Sequence, residues 1–234
     1  MYRSLDSEKI VETCRLLRRR IEERFPGSGL GRVAAELLTV SEQAAEISKW
    51  LARPHLPLRV LAGVMIAAMV ALLVHALSVV ELKETYSTAS DLFQGLEAVT
   101  NEIVFLCVAA FFLVTIEVRV KRRRALGAIH VLRSLAHIVD MHQLTKDPEV
   151  LLRRGSRTSS SPQRTLSAFE LTRYLDYCSE MLAIISKVAA VYVQKFNDPV
   201  TLSAVNDVED LAAALSRKIW QKIVILDRMV PPAE

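Results

Sequence analysis

The sequence predicts an all-α membrane protein, in which a two-span transmembrane helical hairpin is joined to a cytoplasmic helical bundle formed by the N- and C-terminal helices. One observation is a stretch of 21 residues without a formal charge at 60–80, and another is a second apolar run at 103–116. The third is that glycine and proline are sparse, at 7 and 8 of 234 residues. No long stretch shows β-branched residues at every second position, which is the pattern typical of strands. Helices are therefore expected throughout.

The composition agrees with an apolar block set between charged flanks. Hydrophobic residues make up 51% of the chain although 24% of its residues are charged, a combination that soluble domains rarely show. We predict three parts: N-terminal cytoplasmic helices at 1–57, the hairpin at 58–120, and a C-terminal cytoplasmic helical domain at 121–234.

The first predicted span covers about residues 60–80. It reads VLAGVMIAAMVALLVHALSVV, in which only His75 and Ser78 are polar. At a rise of 1.5 Å per residue this segment is about 30 Å long, which is the thickness of a hydrocarbon core. The alternative is a buried helix of a soluble protein, but a run this long and apolar on all sides favours a bilayer.

The second predicted span covers about residues 98–120 and sets the orientation. Its ends carry Glu102 and Glu117, whose side chains would reach polar surroundings. Basic residues flank the hairpin, whereas the segment 81–102 carries five acidic residues and one lysine. Since basic flanks stay on the cytoplasmic side, both termini are expected inside, with the protein in a bacterial inner (plasma) membrane.

Two amphipathic helices are predicted before the first span, at 5–25 and 30–51. The first ends at the PGSGLG turn, and the second ends before the prolines of RPHLP at 53–57. The glycines of GSGLGR lack the Gly-Lys-Ser/Thr of a phosphate-binding loop and the strand that precedes a dinucleotide loop. Phosphate binding is therefore not expected there.

After the second span, one helix is expected to continue into the cytoplasm, because 98–144 contains no proline and a single glycine. Asp147-Pro148 is a helix-start signal. A Ser- and Arg-rich segment at about 153–164 is expected to be a mobile loop. Ser167 and Glu170 then fit the capping box of a helix that extends to about residue 196.

The last predicted helix, at about 199–229, follows a second Asp-Pro signal and carries an apolar stripe. Trp220, Ile223 and Val224 are expected to widen the stripe near its C-terminal end. Such a stripe requires a partner helix, in the same subunit or in a neighbour, and we therefore expect a coiled-coil-like contact and a homo-oligomer. The stripe consists of Val205, Val208, Ala212, Leu215, Ile219 and Leu226.

Three histidines lie in the cytoplasmic extension of the second span. Helical geometry places His130, Arg133, His137 and Asp140 on a polar face, whereas His142 points into the apolar face. His130 and His137 are two turns apart, about 10.5 Å, which is too far to share one ion. The remaining pair, His137 with Asp140, would supply half of a metal site.

A second helix would have to complete such a site. Its candidate ligands are Asp176 with Glu180, and Asp207 with Asp210. Metal sites in helical bundles normally show Glu-x-x-His on two helices, and that repeat does not occur here. We interpret the histidine-bearing helix as structural, with a pH- or ligand-responsive interface and a metal or catalytic site as the alternatives.

Other chemistry is not indicated. The cysteines are three, far apart and without ligand spacing, and there is no Gly-x-Ser-x-Gly. No cofactor and no nucleic-acid partner is expected, since no aromatic-rich basic surface accompanies the positive charge. A basic cluster beside the second span suits anionic lipid headgroups. It comprises Arg119, Lys121, Arg122, Arg123 and Arg124.

Three functions are compatible with this layout. The first is a non-enzymatic, oligomeric inner-membrane protein whose cytoplasmic domain scaffolds or senses and which would bind the bilayer and a cytoplasmic protein partner. The second is an ion-conducting channel, in which Glu97 and Glu102 form the outer mouth of the second span. The third is a metal-dependent membrane enzyme that uses His137 and Asp140.

Overall fold

The computed structural model describes residues 4–79, 89–146, 148 and 166–229, and the regular structure in these ranges is helical. The predicted mobile loop at 153–164, Asp147 and positions 81–88 of the acidic segment between the apolar runs lie outside the described residues. The helices are α1 (Ser7–Arg24), α2 (Gly29–Ala52), α3 (Leu56–Val79), α4 (Ala89–Leu144), α5 (Ala168–Val193) and α6 (Pro199–Met229).

The all-helical class is confirmed for this part of the chain. Helices α3 and α4 are long and apolar enough to cross a membrane, judged by length and composition. The expected continuity of the second apolar run is also confirmed, because α4 is a single helix of 56 residues. It has no internal proline, so every backbone amide after the first turn can find its carbonyl four residues earlier.

The chain divides into two compact units. Met1–Arg53 together with Arg122–Glu234 forms the first, which we call the bundle, and Pro54–Lys121 forms the second, which we call the apolar unit. Helix α4 contributes residues to both. In the bundle, α5 packs against α1, α2 and α6, and its buried positions cover rather more than half of the helix circumference. A helix that contacts three others over so wide an arc holds its unit together.

Side-chain caps fix where the bundle helices begin. The Ser28 hydroxyl accepts the amide of Gly31 at 3.1 Å, and Gly27 supplies the left-handed φ of 67° that the preceding turn needs. The predicted capping box is confirmed: Ser167 Oγ accepts the amide of Glu170, whose carboxylate accepts the Ser167 amide. This exchange lowers the pKa of Glu170.

The predicted inward faces are largely confirmed. All six stripe positions of α6 are buried in the core of the bundle, as are Cys14, Leu17 and Ile21 of α1. The expected widening of the stripe is confirmed for Ile223, which is buried, and is wrong for Trp220 and Val224, which are 58% and 41% exposed. Both lie on the side of α6 that no described helix covers, since one helix can bury only the arc that its neighbours reach.

A carboxylate links the two helices of the apolar unit at one end. Glu117 of α4 accepts the backbone amide of His55 at 3.2 Å, Nε of Arg59 at 2.6 Å and Nζ of Lys121 at 2.8 Å. Away from this cluster most large apolar side chains of the unit are exposed. Val64, Leu72, Phe105, Phe111 and Val114 are examples.

Candidate functional site

The three histidines of α4 have different surroundings. His130 and His137 are exposed, and Arg133 is exposed beside them. His142, near the C-terminal end of the helix, is half-buried against Gly29 at the start of α2. The structure therefore places them on two faces of α4 and brings no two of them together.

Asp140 is bound to a neighbour other than His137. Its Oδ1 accepts Nε2 of Gln143 at 2.6 Å. Gln143 is buried, and its Oε1 and backbone carbonyl accept Nζ of Lys222 of α6 at 2.6 and 2.9 Å. The carboxylate, amide and ammonium form a chain that joins α4 to α6. Sequence reasoning missed Gln143 and Lys222, because neither belongs to a recognisable motif.

The four carboxylates proposed as second-helix ligands do not gather around His137. Asp176 is bound to Arg173 at 3.1 Å, and Glu180 is bound to Arg20 of α1. Burial raises the pKa of Asp176, and Arg173 opposes that rise. The other two, Asp207 and Asp210, are exposed on α6. Among the described residues, no three His, Cys, Asp or Glu side chains are placed to hold one metal ion.

A buried polar cluster of the bundle is centred on Asp198, immediately before α6. Its carboxylate accepts Nε of Arg122 at 3.1 Å and Nη2 at 2.7 Å. It also accepts the amide and hydroxyl of Thr201 at 2.9 and 2.8 Å, so it caps α6 as the Asp-Pro signal predicts. The Arg122 guanidinium and these cap bonds hold the pKa of Asp198 below its usual range.

This ion pair changes the role of the basic cluster that follows the second apolar run. Arg122 is engaged by Asp198, and Lys121 by Glu117. Arg124 stacks over Trp50 at 4.5 Å, and Arg119 over Phe112 at 4.6 Å, each measured from guanidinium carbon to ring centroid. Arg123 is exposed. Four of the five residues predicted to contact headgroups thus bind to, or stack on, side chains of this same chain.

The candidate pore residues lie on the N-terminal part of α4. Both Glu97 and Glu102 are exposed in the single chain. A ring of carboxylates needs several copies of the chain, so this exposure is compatible with the channel hypothesis and with an interfacial carboxylate in water.

Described residues of the bundle line two open clefts. The first, about 500 Å³, is lined by charged residues of α1 and α5 around Tyr177. Its arginines are already engaged: Arg20 binds Glu180, Arg173 binds Asp176, and Arg24 stacks over Phe169.

The second cleft, about 360 Å³, contains the half-buried histidine. A Cβ placed on Gly29 would lie 2.5 Å from Cε1 of His142, so the imidazole rests directly on the glycine backbone. Ser28 lines the cleft from the same turn, and Lys146 lies over the Tyr174 ring at 5.3 Å. Burial lowers the pKa of His142, and the charges of Arg32 and Lys146 lower it further.

The chain was compared with protein-family models, with curated proteins and with solved structures, and it matches none of them.

Proposed function

We propose that this chain is a non-enzymatic, self-associating inner-membrane protein whose bundle is a cytoplasmic scaffolding and sensing domain. The observation that carries the proposal is α4, a single helix from Ala89 to Leu144. One part of it exposes apolar side chains, and the other contributes Ala125, Leu132 and Val139 to the core of the bundle. A helix built in this way suits a protein in which a membrane segment and a polar domain act together.

The exposure of the apolar windows supports the membrane assignment. Only 6% of each window is buried within the chain, whereas the core helix of a soluble protein is mostly buried. An uncovered apolar surface of this size needs an apolar environment, which a bilayer provides. Basic residues at both flanks favour a cytoplasmic position for the bundle, where Arg119 and Arg123 would meet anionic headgroups.

The topology can be tested by thiol labelling. Cys14 and Cys178 are buried, and burial raises their pKa to about 11 and about 12, so Cys107→Ser alone gives a weakly reactive background. In that background, a membrane-impermeant maleimide added to spheroplasts is expected to modify Ser90→Cys and to spare Ser134→Cys until the cells are lysed. Labelling of Ser134→Cys in intact spheroplasts, or recovery of the protein in the soluble fraction, would contradict the proposal.

Self-association needs a separate measurement. Native mass spectrometry of the protein released from nanodiscs is expected to give a multiple of the 26.2 kDa chain mass. A single-chain mass at every protein concentration would remove the oligomeric part of the proposal and leave the topology untouched.

A channel is the second candidate, favoured by the exposure of Glu102 near one end of the apolar run. If carboxylates from several copies attract cations, Glu102→Gln should reduce cation flux into proteoliposomes. Glu46→Gln, which removes an exposed carboxylate of the bundle, is the matched control. Equal flux for the wild type, both variants and protein-free liposomes would exclude conduction.

A further inference from the structure

The contact between His142 and Gly29 joins the end of α4 to the start of α2. The ring atoms Cε1, Nδ1 and Nε2 lie 2.5, 3.3 and 3.5 Å from the position that a Cβ on Gly29 would occupy. Only glycine leaves room for the imidazole to approach the backbone this closely. The contact therefore depends on a specific pair of residues, and it is made at the first turn of α2.

The groups around this ring are positive or neutral. The N-terminus of α2 carries the positive end of the helix dipole, and Arg32 stands one turn into the same helix. Lys146, two residues beyond the end of α4, approaches the ring, as does the neutral phenol of Tyr174 of α5.

The nearest acid on α1 serves another contact. Glu22 accepts the amide of Gly27 at 3.1 Å, and its second oxygen lies close to Gly31. No carboxylate is among the described residues that line the cleft. A proton added to the imidazole would meet a helix N-terminus and two cations, with no described acid in contact to compensate.

We propose that His142 is a proton-sensitive contact, and that its protonation in mildly acidic conditions releases the end of α4 from the first turn of α2. Charge repulsion from Arg32 and Lys146 acts in the direction of release, as does the restored hydration of the imidazolium. The other two histidines of this helix, His130 and His137, are exposed and lie outside this contact. This response belongs to the bundle alone and stands whether or not α3 crosses a membrane.

The direction of the pH dependence follows from the surroundings of the ring. Its folded-state pKa lies below the unfolded value, which is about 6.5 for a histidine. The contact therefore contributes its full stability above that unfolded value and loses it as the pH falls through the lower, folded-state pKa. The response is therefore expected on the acidic side of the unfolded value of about 6.5.

Hydrogen–deuterium exchange of the full chain in nanodiscs tests the release. Peptides covering 28–38 and 139–146 are followed at about pH 7.5 and pH 5 and corrected for the intrinsic pH dependence of exchange. In the wild type we expect a several-fold loss of protection in both peptides at the lower pH. His142→Gln, which cannot gain a charge, should abolish that pH response, whereas the double variant His130→Gln, His137→Gln on the same helix should retain it.

Two results would overturn the proposal: equal protection of the wild type at both pH values, or an undiminished acid response in His142→Gln. A second measurement avoids any folding defect of that variant. In the wild-type chain labelled with ¹³C at histidine Cε1, the His142 signal should titrate below the unfolded histidine value of about 6.5. Titration of the His142 signal at or above that value would equally refute the mechanism.

Discussion

The packing of α4 into the bundle can be tested most directly at Leu132. This side chain is fully buried on the inner face of α4, among the core residues that α1, α2, α5 and α6 also supply. The neighbouring residue, Val131, is 43% exposed. The two positions differ by one step along the same helix and thus form a matched pair: Leu132→Ala removes core volume, and Val131→Ala removes surface.

The expected loss at Leu132 follows from the atoms removed. The change from leucine to alanine deletes three carbons, worth about 2.4 kcal/mol at roughly 0.8 kcal/mol per buried carbon. The helices can close the resulting cavity only in part, which brings the loss of unfolding free energy to about 3 kcal/mol, within the usual range of about 2–5 kcal/mol. Val131→Ala should change the stability by less than about 0.5 kcal/mol.

Urea unfolding of the full chain in nanodiscs, followed by the fluorescence of Trp50 and Trp220, measures both variants. Trp50 packs against the core of the bundle, so its fluorescence changes when the core unfolds. Trp220 is already exposed in the folded chain. Equal effects of Leu132→Ala and Val131→Ala, or a loss below about 0.5 kcal/mol for Leu132→Ala, would show that this part of α4 is not buried in the bundle.

Three further predictions concern caps and thiols of the bundle. Asp198→Ala should lower the unfolding free energy at pH 7 by about 1–2 kcal/mol, as expected for a lost N-cap. Since the pKa of Asp198 is lowered on folding, its contribution is present above the unfolded value of about 3.9. In the same urea assay, the difference in unfolding free energy between the wild type and Asp198→Ala should therefore shrink as the pH falls toward 3. A difference that does not depend on pH would contradict a stabilising role for the charged carboxylate. Ser167→Ala should cost about 1 kcal/mol, and an unchanged urea midpoint would show that its capping box does not matter for stability. Cys14 and Cys178 should react with maleimide only when urea unfolds the bundle, and rapid labelling in native buffer would contradict their burial.

Periodicity explains which features could be predicted from the sequence alone. Leu215 and Ile219 lie four residues apart, on the same face as the other stripe residues of α6, so their burial follows from helical geometry without any knowledge of the neighbours. The capping box at Ser167 and the Asp-Pro signal at Asp198 are equally local, because the cap and its target amide are three residues apart. Features of this kind depend on short stretches of sequence, and the structure confirms them.

Features that depend on distant residues could not be predicted in this way. Asp198 and Arg122 are separated by 76 positions, so the arginine could only be read as one more basic residue beside an apolar run. The approach of His142 to Gly29 likewise needs the relative position of two helices. The predicted burial of Trp220 is wrong for a related reason. Periodicity shows on which side of the helix a residue lies, but not how wide an arc the neighbouring helices cover.

Two polar links fix the position of α4 relative to α6, and their spacing indicates how the two helices run. Arg122 binds Asp198, and Gln143 binds Lys222. Along α4 the linked residues are about 31 Å apart and along α6 about 36 Å apart, at 1.5 Å per residue. Because the order is the same in both helices, α6 follows α4 in a parallel direction, and the chain must return between them through α5.

This arrangement limits how the bundle can respond to protonation. A slide of α4 by one turn, about 5.4 Å, would break both links to α6, whereas release at the His142 end disturbs only the neighbouring link through Gln143. The link through Asp198 lies at the opposite end and contains no group that titrates in mild acid. Exchange protection at the start of α6 should therefore persist at about pH 5 while that of 139–146 is lost, and loss of both together would indicate unfolding of the bundle instead of a local release.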